Sequence, residues 1–259
     1  MISLKSPREI EIMRRANLIV AEVLQEMKAK IAPGVTTLDL DRVAEELTLK
    51  RNAIPAFKGY SVGGRVFPRC LCASINEEIV HGIPSNRTLK EGDIVGLDYG
   101  VIYEGFYGDS AITVGVGKVS DEAKRLMEIT EKSLYDGINQ LYEGKRLGDL
   151  GAAVQMTAES AGYSVVRAFV GHGIGKRLHE EPPVPNYGEP DRGLRFKAGM
   201  VLAIEPMVNI GGPEVEIKAD GWTAVTKDGS LAAHFEHSVA VTKDGPYILS
   251  QLSDGLMSR

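Results

Sequence analysis

Ile10, Met13, Asn17, Val20, Leu24 and Met27 recur at helical spacing, and Ser6-Pro7-Arg8-Glu9 ahead of them is a capping box with proline at the first helical position. A long amphipathic helix is therefore predicted to about Lys30. Pro33-Gly34 ends it, and Thr37-Leu38-Asp39-Leu40 opens a second helix with Leu40, Val43, Ala44 and Leu47 on its apolar face. From about Ala56 to Val116 the pattern changes to glycine-rich strands and turns. Ser120-Asp121-Glu122 then caps a third helix, with Leu126, Thr130, Leu134, Ile138 and Leu141 on one face and Gly144 as its break. A fourth helix is expected from about Gly148 to Gly162, and the remaining chain is again strand-rich.

This order reads as an internal duplication. Pro33-Gly34 before Asp39-Leu40 is matched by Glu143-Gly144 before Asp149-Leu150. Lys90-Glu91-Gly92, leading into Asp93 to Asp98, is matched by Lys197-Ala198-Gly199, leading into Met200 to Glu205. Each Lys-x-Gly turn precedes an apolar strand that ends on a carboxylate. Two related halves, helices outside and a shared sheet inside, would bring Asp98 and Glu205 together at a pseudo-twofold axis. The alternative is a coincidental likeness of two strand patterns.

With 259 residues, 43% hydrophobic and 25% charged, the chain has the composition of a soluble globular domain and the length for one large unit or two halves sharing a core. A net charge of −5 and the lack of any Lys/Arg run argue against stable nucleic-acid binding. No stretch has the length and apolarity of a signal peptide or membrane span, so a cytoplasmic location with no membrane partner is expected. Cys70 and Cys72 are too close in sequence to staple a fold and read as reduced thiols; a CxC metal clip is the weaker alternative.

The chemistry lies in Asp98, Asp109, His172, Glu205 and Glu236, each in or beside a short apolar run where a lone charge is unfavourable. Read singly, any of these carboxylates is as readily a salt-bridge partner. Together they read as one metal site. Oxygen-rich ligation with one nitrogen suits hard or borderline divalent ions, and four carboxylates outweigh the charge of one such ion. A pair of ions about 3.5 to 4 Å apart, bridged by carboxylates and holding a hydroxide, would absorb that charge. Asp98 and Asp109 flank a Tyr103-Glu104-Gly105 turn, which predicts a hairpin with the two carboxylates opposite or diagonal on one face. His172 sits in Gly171-His172-Gly173-Ile174-Gly175, a run lacking the strand-to-helix pattern of a phosphate loop. Taken alone, His81, His172 and His179 each read more readily as structural histidines than as catalysts. Strand alternation turns Glu236 away from Phe235 and His237 and puts His234 on its own side.

These residues resemble the type I methionine aminopeptidases of bacteria, over nearly the whole chain. The resemblance rests on Ser74-Ile75-Asn76-Glu77 with Val80-His81-Gly82-Ile83-Pro84, the Asp98 and Asp109 hairpin, Gly171-His172-Gly173-Ile174-Gly175 with His179-Glu180, Ile204-Glu205-Pro206-Met207, and Phe235-Glu236-His237. It implies an α+β "pita-bread" fold, with two pseudo-symmetric α/β halves, a central antiparallel sheet and outer helices. The expected layout is a single catalytic domain over 1–259, with halves of about 1–117 and 118–259. It also implies removal of N-terminal methionine before a small second residue, by attack of a hydroxide bridging two divalent ions drawn from Fe(II), Mn(II), Co(II), Zn(II) or Ni(II). Asp98, Asp109, His172, Glu205 and Glu236 would be the metal ligands, with Asp109 and Glu236 bridging. Glu205 would carry the proton, His179 would bind the carbonyl or oxyanion, and His81 would contact the scissile amide. Tyr60, Phe67, Cys72, Leu178, Met207 and Trp222 match the methionine pocket. The implied partner is a nascent polypeptide N-terminus, met by a monomer in transient contact with the ribosome.

Two departures from the family pattern stand out. The Tyr60 to Phe67 segment is longer, which bears on Phe67, and His234 replaces a usual Gln. Among rivals, Xaa-Pro aminopeptidases and dipeptidases would share the five ligands, but they carry a large N-terminal domain and a further His before the Gly-His-Gly motif, where this chain has Phe169-Val170. The type II enzymes carry a helical insertion for which the span from His172 to Glu205 leaves no room. A metal-free binding protein on the same scaffold is the rival from another class, opposed by retention of all five ligands with His81 and His179.

Overall fold

The capping box at Ser6 is formed. The Ser6 hydroxyl accepts the Glu9 amide, and the Glu9 carboxylate accepts the Ser6 amide at 2.9 Å, starting α1 (Pro7–Lys30). The computed structural model describes residues 2–252; Met1 and residues 253–259, the ends of the expected 1–259 unit, lie outside the described residues. Helix α2 (Thr37–Lys50) is capped by Thr36 and Asp39, and α3 (Asp121–Ile138) by Ser120. Helix α4 (Leu147–Ser160) begins where the Asp149 carboxylate accepts the Arg146 amide at 2.7 Å. Helix α3 stops well before Gly144, contrary to expectation. Its end closes in turns that bond Asn139 to Tyr135 and Leu141 to Ile138, so Leu141 reaches the core from a turn rather than a helix. No helix among the described residues is long and apolar enough to cross a membrane.

Among the described residues, nine strands form one antiparallel sheet. Its order is Ile54–Pro55, Ile94–Tyr103, Phe106–Gly115, Glu236–Thr242, Val201–Ile204, Gly171–Gly173 and Glu180–Val184, with Leu71–Ile75 also on Ile94–Tyr103 and Gly245–Ile248 also on Glu236–Thr242. The Phe106–Gly115 and Glu236–Thr242 pairing joins the two halves, and local detail repeats on each side of it. Gly34 and Gly144 both sit at φ +93, donating to the carbonyls of Leu89 and Phe196 respectively. Thr36 bridges Thr88 as Arg146 bridges Arg195, and the glycines of the two Lys-x-Gly turns, Gly92 and Gly199, adopt φ +91 and +93. The two carboxylate strands differ in one respect. Ile94–Tyr103 continues past Asp98 into its hairpin, whereas Val201–Ile204 ends just before Glu205.

Helices α1 and α2 cover the first half with a core that includes Val20, Leu24, Leu40, Leu71, Leu97 and Tyr99. Helices α3 and α4 cover the second with Leu126, Leu134, Leu150, Val154, Leu202 and Val239. Helix α1 lies directly on the hairpin because residue 108 has no side chain. A Cβ on Gly108 would stand 2.8 Å from the backbone of Ala16 and Asn17. That closeness lets the Asn17 side chain accept the Asp109 amide at 3.2 Å while donating to the Met13 carbonyl at 2.9 Å. Gly108→Ala is expected to lower stability by about 2 kcal/mol, since helix backbone and not a flexible side chain must give way. Chemical denaturation measures this; an unchanged midpoint would show that α1 is free to lift from the hairpin.

Candidate metal centre

Strand register alone brings the donors together. Across the sheet, Cys72 stands opposite Asp98, Asp98 opposite Ala111, and Ala111 opposite Glu236; Glu205 follows Ile204, which pairs with His237. Two residues along lies a second row, with Gly100 opposite Asp109, Ser238 opposite Ala203, and Ala203 opposite His172. Residues two apart on a strand share a face, so all five expected donors look the same way. Asp98 and Asp109 are diagonal neighbours across a two-residue turn, Glu104-Gly105, whose φ values of +48 and +79 are those of a tight hairpin. Between the donors stand small residues, Gly100, Ala111, Ala203 and Ser238. A Cβ on Gly100 would lie 2.8 Å from the Phe57 ring and 3.2 Å from Asp109 Oδ1.

Donor atoms of Asp109, His172 and Glu236 lie within 4.8 Å of one another. His172 Nε2 is 3.6 Å from Glu205 Oε1 and 4.0 Å from Asp109 Oδ2. Its other nitrogen, Nδ1, is 3.0 Å from the Gly173 carbonyl, which can only accept. The proton therefore sits on Nδ1, and the Nε2 lone pair faces carboxylate oxygens, a repulsive arrangement that a cation makes favourable. Asp98 Oδ1, Asp109 Oδ1 and Glu236 Oε1 are buried without a hydrogen-bond partner. Among the described residues, none that lines this cavity is Lys or Arg. The donor set fits divalent metal ions.

Burial raises the Asp98 carboxyl to about 7. Asp109, Glu205 and Glu236 are pushed well above the usual carboxylate range by burial first and by one another's charges second, Asp98 contributing to all three. Burial lowers His172 and His234 to about 3 and His81 to about 4, so these rings are neutral at pH 7.

His81, His179, Tyr60, Phe67, Cys72, Leu178 and Trp222 line the same cavity, of about 140 Å³. Phe67 and Trp222 meet edge to face at 5.3 Å, so the long Tyr60 to Phe67 segment still delivers Phe67 to the wall. That segment is a small hairpin, Ser61–Val62 against Arg65–Val66 around Gly63-Gly64, latched by Arg65 Nη1 to the Gly221 carbonyl at 3.0 Å. Met207 is the exception. It is fully buried among Ile79, Val80 and Val166, where apolar packing claims it, and is not among the cavity-lining residues. Sequence reasoning missed Phe57 and Val62, which do line the cavity and carry no polar signature. It also missed that the Tyr60 hydroxyl bonds His179 Nδ1. His81 adopts φ +62 ahead of Gly82, whose absent Cβ would strike the Ala73 carbonyl, and its ring meets Phe169 edge-on at 5.4 Å. Buried beside His179, Lys5 Nζ and Glu180 Oε2 pair at 2.7 Å and tie the N-terminal segment to the loop that carries His179.

A buried, oxygen-rich donor set with one imidazole, shared between two halves of an antiparallel scaffold, marks a divalent-metal hydrolase. Comparison with known proteins agrees: the chain belongs to metallopeptidase family M24, matched over residues 11–243, and within it to the type I methionine aminopeptidases. It is 52% identical over 251 residues to a methionine aminopeptidase of Clostridium acetobutylicum, covering 96% of this chain and 99% of that one. To methionine aminopeptidase 1 of Bacillus subtilis it is 50% identical over 252 residues, covering 97% and 100%. The crystal structure of methionine aminopeptidase from Thermotoga maritima matches with a TM-score of 0.94 at 46% identity, over 97% of this chain and 100% of that one.

His234 is buried, with Nε2 unpartnered and 3.7 Å from Glu205 Oε2, so it borders the centre. His234→Gln is expected to shift metal affinity, turnover or both by several-fold. If neither changes on metal titration and assay, His234 has no part in the site. A second expectation concerns pH. Carboxyls raised in the folded state bind more protons than in the unfolded chain, so their contribution to stability falls as pH rises through their folded pKa. The lowered histidines act in the opposite sense only below their unfolded value of about 6.5. From pH 6.5 to 8.5 the melting temperature of metal-free protein should therefore fall, and the stabilisation on adding Mn(II) should grow. A pH-independent increment across that window would contradict this account.

Proposed function

We propose that the chain removes the initiator methionine from nascent polypeptides whose second residue is small, acting as a single catalytic unit with two divalent ions held by Asp98, Asp109, His172, Glu205 and Glu236. One observation carries the reading: an oxygen-rich donor cluster opens directly onto an apolar wall of Phe57, Phe67, Cys72, Leu178 and Trp222. Such a wall, with one sulfur among its rings, suits an unbranched thioether. The bound ions supply a Lewis acid and a water of lowered pKa, and their identity follows cellular supply as much as ligand choice.

The remaining tasks fall to side chains. With its phenol donating to His179 Nδ1, Tyr60 keeps the His179 proton on Nε2, where it can be donated to the substrate carbonyl as negative charge develops. His81, neutral and braced by Phe169, is suited to contact the scissile amide. Glu205, whose carboxyl is pushed up by burial and by Asp98, is suited to hold a proton and pass it to the leaving amine. A carboxylate-rich donor cluster suits a free substrate amine, which makes the activity that of an exopeptidase. The reading further takes the protein as a cytoplasmic monomer that meets its substrate at the ribosome.

Hydrolysis of Met-Ala-Ser against Ala-Pro peptides, with Mn(II), Fe(II) or Co(II) added, tests the proposal. Release of methionine from the first and no cleavage of the second is expected. Activity on the proline substrate alone would favour an Xaa-Pro peptidase. Absence of turnover with every metal would favour a binding protein on this scaffold.

A further inference from the structure

The two halves of the sheet meet along a very short ladder. Only Glu236 with Ala111 and His237 with Ser110 are paired between the Phe106–Gly115 and Glu236–Thr242 strands, whereas the hairpin beside them is paired along its full length. The next position in register sets Asp109 opposite Ser238, and the backbone rung there is missing because both amides are used elsewhere. The Asp109 amide donates to Asn17 Oδ1 at 3.2 Å, and the Ser238 amide donates to Ser250 Oγ at 3.2 Å. The Ser238 hydroxyl fills the gap, donating to the Asp109 carbonyl at 2.9 Å. Ser110 does the reciprocal, donating to the Glu236 carbonyl at 2.6 Å. Beyond the other end of the ladder, the Thr113 hydroxyl donates to the His234 carbonyl at 2.7 Å and accepts the His234 amide at 3.0 Å.

Buried hydroxyls thus stand in for backbone rungs at Ser238 and Thr113 and reinforce the paired position at Ser110, and two of them hold the carbonyls of Asp109 and Glu236. These are the donors, one from each half, assigned as bridging between ions. A hydrogen bond to a residue's own carbonyl fixes its Cα, and so fixes where its carboxylate starts. Ser110 lies on the opposite face of its strand from Asp109, and Ser238, although on the donors' face, commits its hydroxyl to the Asp109 carbonyl, so the effect of both is indirect.

We propose that Ser110 and Ser238 are positioning residues that set the spacing of Asp109 and Glu236 across the seam, and through that spacing the affinity for the ion pair. The inference rests on the two-ion reading. Metal-free parent protein and the variants Ser110→Ala, Ser238→Ala, Ser110→Thr and Ser238→Thr would be titrated with Mn(II), free ion being followed by electron paramagnetic resonance. Thermal melts of each metal-free protein report folding. Both Ala variants should bind at least one of two ions about tenfold more weakly while remaining folded, and the Thr variants, which keep the hydroxyl, should bind as the parent does. Should an Ala variant not fold, Ser110→Cys keeps the volume with a poor donor, and Ser238→Gly removes the hydroxyl without placing a thiol among the donors; each should show the same loss. Variants that lower only the melting temperature and titrate like the parent would overturn the positioning role. A parent that takes up fewer than two ions would overturn the two-ion reading and this inference with it, whereas two ions in the parent with unchanged variants would overturn the inference alone.

Discussion

The constraint on which this structure turns is electrostatic: four carboxylates and an imidazole lone pair share one buried face of a sheet. At an effective dielectric near 20, two like charges about 4 Å apart repel by about 4 kcal/mol, and here the repulsions are multiple. The protein alone answers only in part, by holding protons on Asp98, Asp109, Glu205 and Glu236 and by keeping His172 neutral. Divalent metal among the donors resolves the conflict. Much of the surrounding architecture follows from leaving room for it, above all the small residues Gly100, Ala111, Ala203 and Ser238 between the donors.

Pseudo-symmetry is the means by which one chain assembles such a face. Each half contributes a carboxylate strand entered through a Lys-x-Gly turn, and the halves meet where the sheet pairing is shortest. Helix α1 takes part in the chemistry at one remove, through Asn17 on the Asp109 amide. The two histidines beyond the donors are held differently. His179 is fixed by a tyrosine hydroxyl and by a loop anchored through the Lys5 and Glu180 pair, His81 by an unusual backbone conformation and an aromatic neighbour.

Helices were legible because their signals are local: the capping box at Ser6 and the serine cap at Ser120 depend on residues three or four apart. The end of α3 was not, because Gly144 marks a later turn and Asn139, an unremarkable residue, makes the stop. The five candidate donors were legible as a charge problem, since four carboxylates in apolar runs are anomalous in any fold. Roles beyond ligation came from family resemblance and not from pattern. The apolar cavity wall was harder to read, because an apolar residue in a pocket looks like one in the core. Phe57 and Val62 escaped notice for that reason, and Met207 was assigned to the wall although it packs elsewhere. The seam hydroxyls left no sequence signal, since a serine acquires its meaning only when the register places a carbonyl opposite it.

One consequence follows from the small hairpin at Ser61–Val66. The donors are carried by paired strands, but this part of the rim is two short strands and two glycines, closed at the base by the Phe67 amide on the Tyr60 carbonyl and tied to the rest of the wall by an exposed guanidinium on the Gly221 carbonyl. Such a bond contributes roughly 1 kcal/mol net. The molecule is therefore stiff where charge must be held in register and compliant where a side chain has to enter and leave.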